Sequence, residues 1–78
     1  MTKIEVLGHG CANCARLEQN VREAVSTLGV EAEVTHVTDD AEIMAFGVMS
    51  TPGLVIDGKV VSYGRVPSPA DIAGWLRG

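Results

Sequence analysis

The chain has 78 residues, of which 46% are hydrophobic and 21% are charged, as in an ordinary soluble globular domain. This length predicts one domain that spans residues 1–78 and has a small core. The formal net charge of −4 argues against a nucleic-acid partner, because phosphate contacts need a basic surface. It also argues, less strongly, against binding to an anionic membrane.

Residues 1–5 lack the long apolar region of a signal peptide. No apolar stretch approaches the ~20 residues that a membrane-spanning helix needs. We therefore predict a cytoplasmic protein with no membrane partner. A reducing compartment disfavours a purely structural disulfide, so the two cysteines of the chain are better interpreted as chemically active.

The first part of the chain predicts a strand, a helix and a second strand. Alternating side chains over Lys3–Leu7 predict the first strand. Apolar residues then recur at helical spacing over Ala12–Leu28, and Gly29 provides a C-terminal cap. Residues Val30–Val37 predict the second strand. One face of that strand holds Val30, Ala32 and Val34.

A short helix and a hairpin are predicted next. Thr38–Asp40 supplies an N-cap and first-turn acids for a helix over about residues 41–46, which ends at Gly47. Asp57 and Gly58 form a hairpin turn signal. The apolar runs on either side of this turn are residues 54–56 and 60–62.

A last helix is predicted over residues 70–76, because Ser68 fits the N-cap, Pro69 the first helical position and Asp71 the third. The element order is therefore β-α-β-α-β-β-α, in which the first β-α-β unit implies parallel strands. An α/β fold with one mixed four-stranded sheet and helices on both faces is the natural solution. The inward stripe of the last helix is Ile72, Trp75 and Leu76.

The two cysteines, Cys11 and Cys14, lie between the first strand and the first helix. Residues three apart on a helix share one side, so both sulfurs can reach the same point. The start of a helix favours an anion, and the thiolate is the reacting form of cysteine. We therefore assign Cys11 as the catalytic nucleophile and Cys14 as the more buried catalytic resolving thiol.

The element order, Cys11-x-x-Cys14 and the segment Phe46–Pro52 before the hairpin together resemble the thioredoxin fold. Over roughly residues 3–76 the chain is similar to the small, glutaredoxin-sized thioredoxin-like proteins of bacteria and archaea, known as redox-active disulfide proteins. The resemblance implies a cis Thr51-Pro52 peptide bond beside the cysteine pair. It also implies that Thr51 and Pro52 bind substrate, with the Thr51 backbone pairing with an extended partner segment.

The same resemblance implies a thiol–disulfide oxidoreductase that carries two electrons and needs no bound cofactor. Its substrate would be a disulfide-containing protein or a small thiol compound. Its electron donor would be an unidentified thioredoxin-reductase-like protein.

Four neighbours of the cysteines are predicted to tune their reactivity. Ala12 and Asn13 act through helix geometry and amide hydrogen bonding. Gly10 and His9 stand where thioredoxins carry a tryptophan before the first cysteine. For His9 two interpretations stay open, a cation that stabilises the Cys11 thiolate and a solvated loop histidine.

Soft-metal binding is the main alternative, because thiolate pairs also suit copper and zinc. Small copper chaperones carry Gly-Met-x-Cys-x-x-Cys after a first strand, and residues 8–14 come close to this pattern. Those proteins continue with a hairpin and a helix and end on a strand, whereas this chain is predicted to end on a helix. The sequence therefore favours redox chemistry and no metal site.

Several other residues are given structural interpretations. We predict that His36 is structural, although a zinc site with His9 and both cysteines is conceivable. Met44 and Met49 are predicted to pack in the core or in loops, with Met49 lining the surface beside Pro52 as a further option.

Overall fold

A computed structural model of the chain describes residues 2–8 and 12–77. The element order in this part of the chain is β-α-β-α-β-β-α, which confirms the predicted order. None of the helices described is long and apolar enough to cross a membrane. The elements are β1 (Thr2–Leu7), α1 (Ala12–Leu28), β2 (Ala32–Val37), α2 (Asp40–Ala45), β3 (Gly53–Ile56), β4 (Lys59–Tyr63) and α3 (Pro69–Arg77).

The four strands form one mixed sheet in the order β2-β1-β3-β4. Strand β1 runs parallel to β2 and antiparallel to β3, and β3 runs antiparallel to β4. Leu7 at the end of β1 faces Gly53 at the start of β3, whereas Ile4 faces Ile56. The loop before β3 is therefore held next to the segment that follows β1.

The larger core lies between the sheet and the helices α1 and α3. Strand β1 contributes Ile4 and Val6 because successive side chains of a strand point to opposite faces. Helix α1 contributes residues at helical spacing, and Ile72 of α3 is fully buried. The buried members of this core are Ile4, Val6, Leu17, Val21, Ala24, Leu54 and Ile72.

A smaller core covers the opposite face of the sheet, where α2 packs. Leu7 and Val55 are fully buried there, and Ile43 is the buried residue of α2. Its buried members are Leu7, Val37, Ile43, Val48 and Val55. Helices therefore cover both faces of the sheet, as the sequence predicted.

Three helix-end predictions are confirmed by hydrogen bonds. The Gly29 N–H donates to the Val25 carbonyl at the end of α1 over 3.0 Å. The Asp39 carboxylate caps α2 by accepting from the backbone N–H groups of the second and third residues after it. Ser68 and Asp71 exchange side-chain-to-backbone hydrogen bonds at the start of α3, which is a capping box.

The predicted start of the second strand is wrong. Strand β2 begins at Ala32, which pairs with Thr2 at the start of β1, and Val30 is 39% exposed. The two residues after Gly29 carry the chain from α1 back to the sheet, so Val30 lies outside the strand. Ala32 and Val34 do pack against the larger core, as predicted.

The β3–β4 hairpin turns at Asp57 and Gly58 as predicted, but its register is irregular. Val55 pairs with Val60, whereas the preceding Leu54 pairs with Ser62. Val61 is therefore an extra residue in β4 without an opposite partner in β3, which is a β-bulge.

Candidate functional site

Gly8 connects β1 to the segment that carries the cysteines. Its N–H donates to the Val37 carbonyl at the end of β2 over 2.9 Å, which extends the parallel pairing by one residue. Its φ is +142° and the residue is buried. A side chain is disfavoured at this φ because only glycine adopts such angles readily.

Cys14 lies in the first turn of α1 and is 1% exposed. An ideal Cβ built on Gly8 would stand 2.6 Å from the Cys14 Sγ atom, which is closer than van der Waals contact allows. The sulfur therefore packs directly against the Gly8 backbone, and the absence of a side chain at position 8 makes the room.

The Thr51–Pro52 segment also packs against Gly8. The same ideal Cβ would stand 3.4 Å from the Thr51 Cβ atom, so the Thr51 side chain and the Cys14 sulfur border the same space beside Gly8. Thr51 is exposed and Pro52 is buried, and the peptide bond between them is cis. The structure thus brings Cys14, Thr51 and Pro52 together, although 37 positions separate Cys14 from Thr51 in the sequence.

The end of β4 holds this loop in place. The Gly64 N–H donates to the Pro52 carbonyl over 3.0 Å. An ideal Cβ on Gly64 would approach the Ser50 Cβ atom to 3.2 Å, so the two segments are in close contact. The end of the hairpin therefore fixes the loop, and Gly8, directly after β1, lies beside Thr51.

Three residues of the predicted site, His9, Gly10 and Cys11, lie outside the described residues. Ala12 and Asn13 are both exposed in the first turn of α1. Their proposed influence on the cysteines, and the roles of Cys11 and Cys14, stay predictions.

His36 takes part in an ion-pair arrangement on the α1 side of the sheet. Its Nδ1 atom lies 3.2 Å from Glu18 Oε1, while Glu18 Oε2 accepts from Arg22 Nε over 3.1 Å. The histidine is charged in this pair only when protonated. Within residues 2–8 and 12–77, no group of three or more His, Cys, Asp and Glu side chains could hold a metal ion.

Sequence reasoning missed two features of this region. The first is the close packing of the Cys14 sulfur against Gly8, for which the signal in the sequence is a glycine three residues before the first cysteine. The second is the exposure of the methionines: the packing prediction is wrong for Met44, which is 73% exposed, whereas Met49, which is 92% exposed, fits the option of a surface position near Pro52 and not core packing. Met44 lies on α2, whose single buried residue is Ile43, and Met49 lies two residues before Thr51.

A family model and two related proteins all assign the chain to one family. The family model described as "Thioredoxin domain" matches residues 2–77. A protein of Methanothermobacter thermautotrophicus named "Thioredoxin" is 44% identical over 72 residues, which cover 92% of this chain and 94% of that protein. A protein of Methanocaldococcus jannaschii with the same name is 40% identical over 77 residues, which cover 99% of this chain and 88% of that protein. The chain therefore belongs to the thioredoxin-domain family.

Proposed function

We propose that the chain is a thiol–disulfide oxidoreductase whose redox pair is Cys11 and Cys14. One observation carries the proposal: the Cys14 sulfur is buried in the first turn of α1, against Gly8 and beside Thr51. The name of both relatives, thioredoxin, supports the same chemistry.

The proposed reaction has two steps. The Cys11 thiolate attacks one sulfur of a substrate disulfide, and the other sulfur leaves as a thiolate that takes a proton from water. Cys14 then gives its thiol proton to solvent, attacks Cys11 Sγ in the mixed disulfide and expels the second substrate sulfur, which leaves as a thiolate and takes a proton from water. The pair ends as a Cys11–Cys14 disulfide, so two electrons have passed to the substrate, which is now a dithiol.

The division of roles follows from burial and from the helix. Cys11 directly precedes Ala12, the first residue of α1, where unpaired N–H groups and the helix dipole favour a thiolate. The Cys14 side chain is 1% exposed, so a protein disulfide cannot contact its sulfur without a local rearrangement. We therefore assign the attack on substrate to Cys11 and the release of product to Cys14.

The exposed Thr51 is the proposed contact for substrate. Its side chain lies beside Gly8, and Pro52 has no N–H that could compete for a substrate carbonyl. An extended segment that carries the target disulfide would pair with the Thr51 backbone in the manner of strand addition. Oxidised protein would be returned to the dithiol by a thioredoxin-reductase-like donor, with no cofactor bound to this chain and with the cytoplasm as the site of action.

Two serine variants test the assignment of the cysteines. The parent protein is expected to accelerate the reduction of insulin by dithiothreitol. Cys11→Ser should reduce this rate to that of dithiothreitol alone. Cys14→Ser should also lose turnover, but it should accumulate a mixed disulfide with insulin. Mass spectrometry detects this covalent complex, and excess dithiothreitol cleaves it. Reduction of insulin by Cys11→Ser at the parent rate would contradict the proposal.

A redox titration separates this function from soft-metal binding by the same cysteines. The protein is equilibrated at defined ratios of reduced to oxidised dithiothreitol, and its free thiols are then alkylated. A parallel competition with a Cu(I) chelator measures the Cu(I) affinity. The double serine variant is the control for both measurements. A reversible two-electron transition with weak Cu(I) affinity supports the oxidoreductase. Tight Cu(I) binding without insulin reduction would assign the pair to metal binding instead.

A further inference from the structure

An open groove of about 480 Å³ lies between the β3–β4 hairpin and α3. It is at the opposite end of β3 from the candidate redox site, because Gly53 follows Pro52 whereas Ile56 lines the groove. Three residues of extended strand separate these two positions by about 10 Å. The residues that line this β4–α3 groove are Ile56, Lys59, Val61, Gly74 and Trp75.

The packing of the fold gives no reason for a glycine at position 74. This residue lies in the interior of α3, a nine-residue helix, where glycine is about 1 kcal/mol less favourable than alanine. An ideal Cβ on Gly74 would meet no atom within 4 Å, so packing does not require a glycine here. The absence of a side chain at Gly74 keeps the groove open.

The floor of the groove is apolar and partly accessible. Ile56, Val61 and Trp75 are half-buried and pack against the larger core with only part of their surface. Trp75 is the single tryptophan of the chain, and tryptophan rings at an accessible surface are a common anchor for partner side chains. The floor therefore suits apolar side chains of another molecule.

Lys59 gives the groove a positive charge. Its side chain is exposed, and among the described residues no carboxylate forms an ion pair with it. The nearest acid in the sequence, Asp57, accepts a hydrogen bond from the Lys3 N–H over 2.9 Å. The Lys59 ammonium is thus available to an anionic group of a partner.

The charge around the groove differs from that of the whole protein. Lys59 is the one charged residue among those that line the groove. In a protein of net charge −4, the lining of the groove therefore carries a single positive charge, which attracts an acidic partner and repels a basic one.

The geometry of β4 favours side-chain docking over strand addition. Strand β4 is at one edge of the sheet, but the bulge at Val61 interrupts its regular pairing pattern. A bulged edge is a poor template for another strand, whereas the bulge residue itself lines the groove.

We propose that the β4–α3 groove docks an acidic, apolar segment of a partner protein. The segment would place its apolar side chains over Trp75 and Val61 and a carboxylate beside Lys59. This contact is separate from the proposed chemistry of the cysteines and would hold partners by a second surface.

The fluorescence of Trp75 provides a direct test. The purified full chain is titrated with a blocked hexapeptide of alternating leucine and aspartate, and the matched control peptide alternates leucine and lysine. We expect a saturable change in Trp75 emission with the acidic peptide and none with the basic one. Gly74→Leu should abolish the change, because its side chain would extend from a Cβ position with open space around it and fill the groove.

Two further variants guard against a folding defect in Gly74→Leu. Lys59→Met should weaken binding about threefold, as expected for loss of one exposed ion pair, while Lys3→Met makes the same charge change outside the groove and should bind like the parent. Circular dichroism verifies that each variant is folded.

Three results would overturn the proposal. The first is the absence of a saturable change with the acidic peptide, and the second is equal binding of both peptides by the parent protein. The third is concentration-dependent self-association in sedimentation equilibrium that Gly74→Leu removes. That result would assign the groove to a second copy of the chain and not to an acidic partner.

Discussion

Gly8 at the end of β1 and Gly74 in α3 differ in the space around them. A Cβ on Gly8 would collide with the Cys14 sulfur at 2.6 Å, whereas a Cβ on Gly74 would meet no atom within 4 Å. Gly8 also has a φ of +142°, while Gly74 lies within a helix. The first glycine is required by the fold and the second is not.

The two glycines therefore differ in their structural role. At Gly8 the backbone itself forms the wall against which a sulfur and a threonine pack, so the fold and the candidate redox site share one constraint. At Gly74 a Cβ would meet no atom within 4 Å, so the packing of the fold does not require a glycine there. Substitutions at the two positions should therefore change the stability in opposite directions.

The largest effect on stability is expected for Gly8→Ala. The added methyl group collides with Cys14 and the backbone angle becomes unfavourable, which together should lower the free energy of unfolding by about 3 kcal/mol. Urea denaturation of the reduced protein measures the change.

Gly47→Ala measures a positive-φ backbone penalty without a steric contact. Gly47 has a φ of +79°, but a Cβ there meets no atom within 4 Å, so a loss of only about 1 kcal/mol is expected. Equal losses for the two variants would show that the contact with Cys14 contributes nothing.

Gly74→Ala should stabilise the protein. Alanine is favoured over glycine in a helix interior by about 1 kcal/mol, and the added methyl group meets open space. The same urea denaturation should show a gain of up to this size. A loss of stability would contradict the view that the fold leaves Gly74 unconstrained.

The smallest effect is expected for Ser62→Ala, on the strand that runs from the groove to the loop of Thr51. The Ser62 Oγ atom is buried and has no hydrogen-bond partner among the described residues. Removing it avoids the cost of burying that group, so the stability should stay equal or rise by less than about 1 kcal/mol. A thermal melt compared with Ser62→Thr, which keeps the hydroxyl group, measures the difference.

Much of the fold could be predicted because its signals are local. The span of α1, the caps of α2 and α3 and the turn at Asp57 depend on residues within one turn of each other. Val30 was misassigned for the same reason: its β-branched side chain favours a strand, but the pairing of Ala32 with Thr2 decides where β2 begins.

The candidate site was only partly predictable. The cysteine spacing and the proline loop could be read as motifs, but the contact of the Cys14 sulfur with Gly8 depends on how α1 packs on the sheet. The exposure of Met49 and the shape of the groove at Gly74 arise in the same way from packing between distant segments. No periodicity in the chain encodes such contacts.

The bulge at Val61 also bears on how concentrated solutions of this protein should behave. Unpaired edge strands tend to recruit one another and start aggregation. In the described sheet the edges are β2 and β4; β4 carries the bulge and the exposed Lys59, and β2 exposes Glu33. Both edge strands are thus poor templates for pairing with another molecule. We therefore expect the protein to resist edge-to-edge association of its sheets at high concentration.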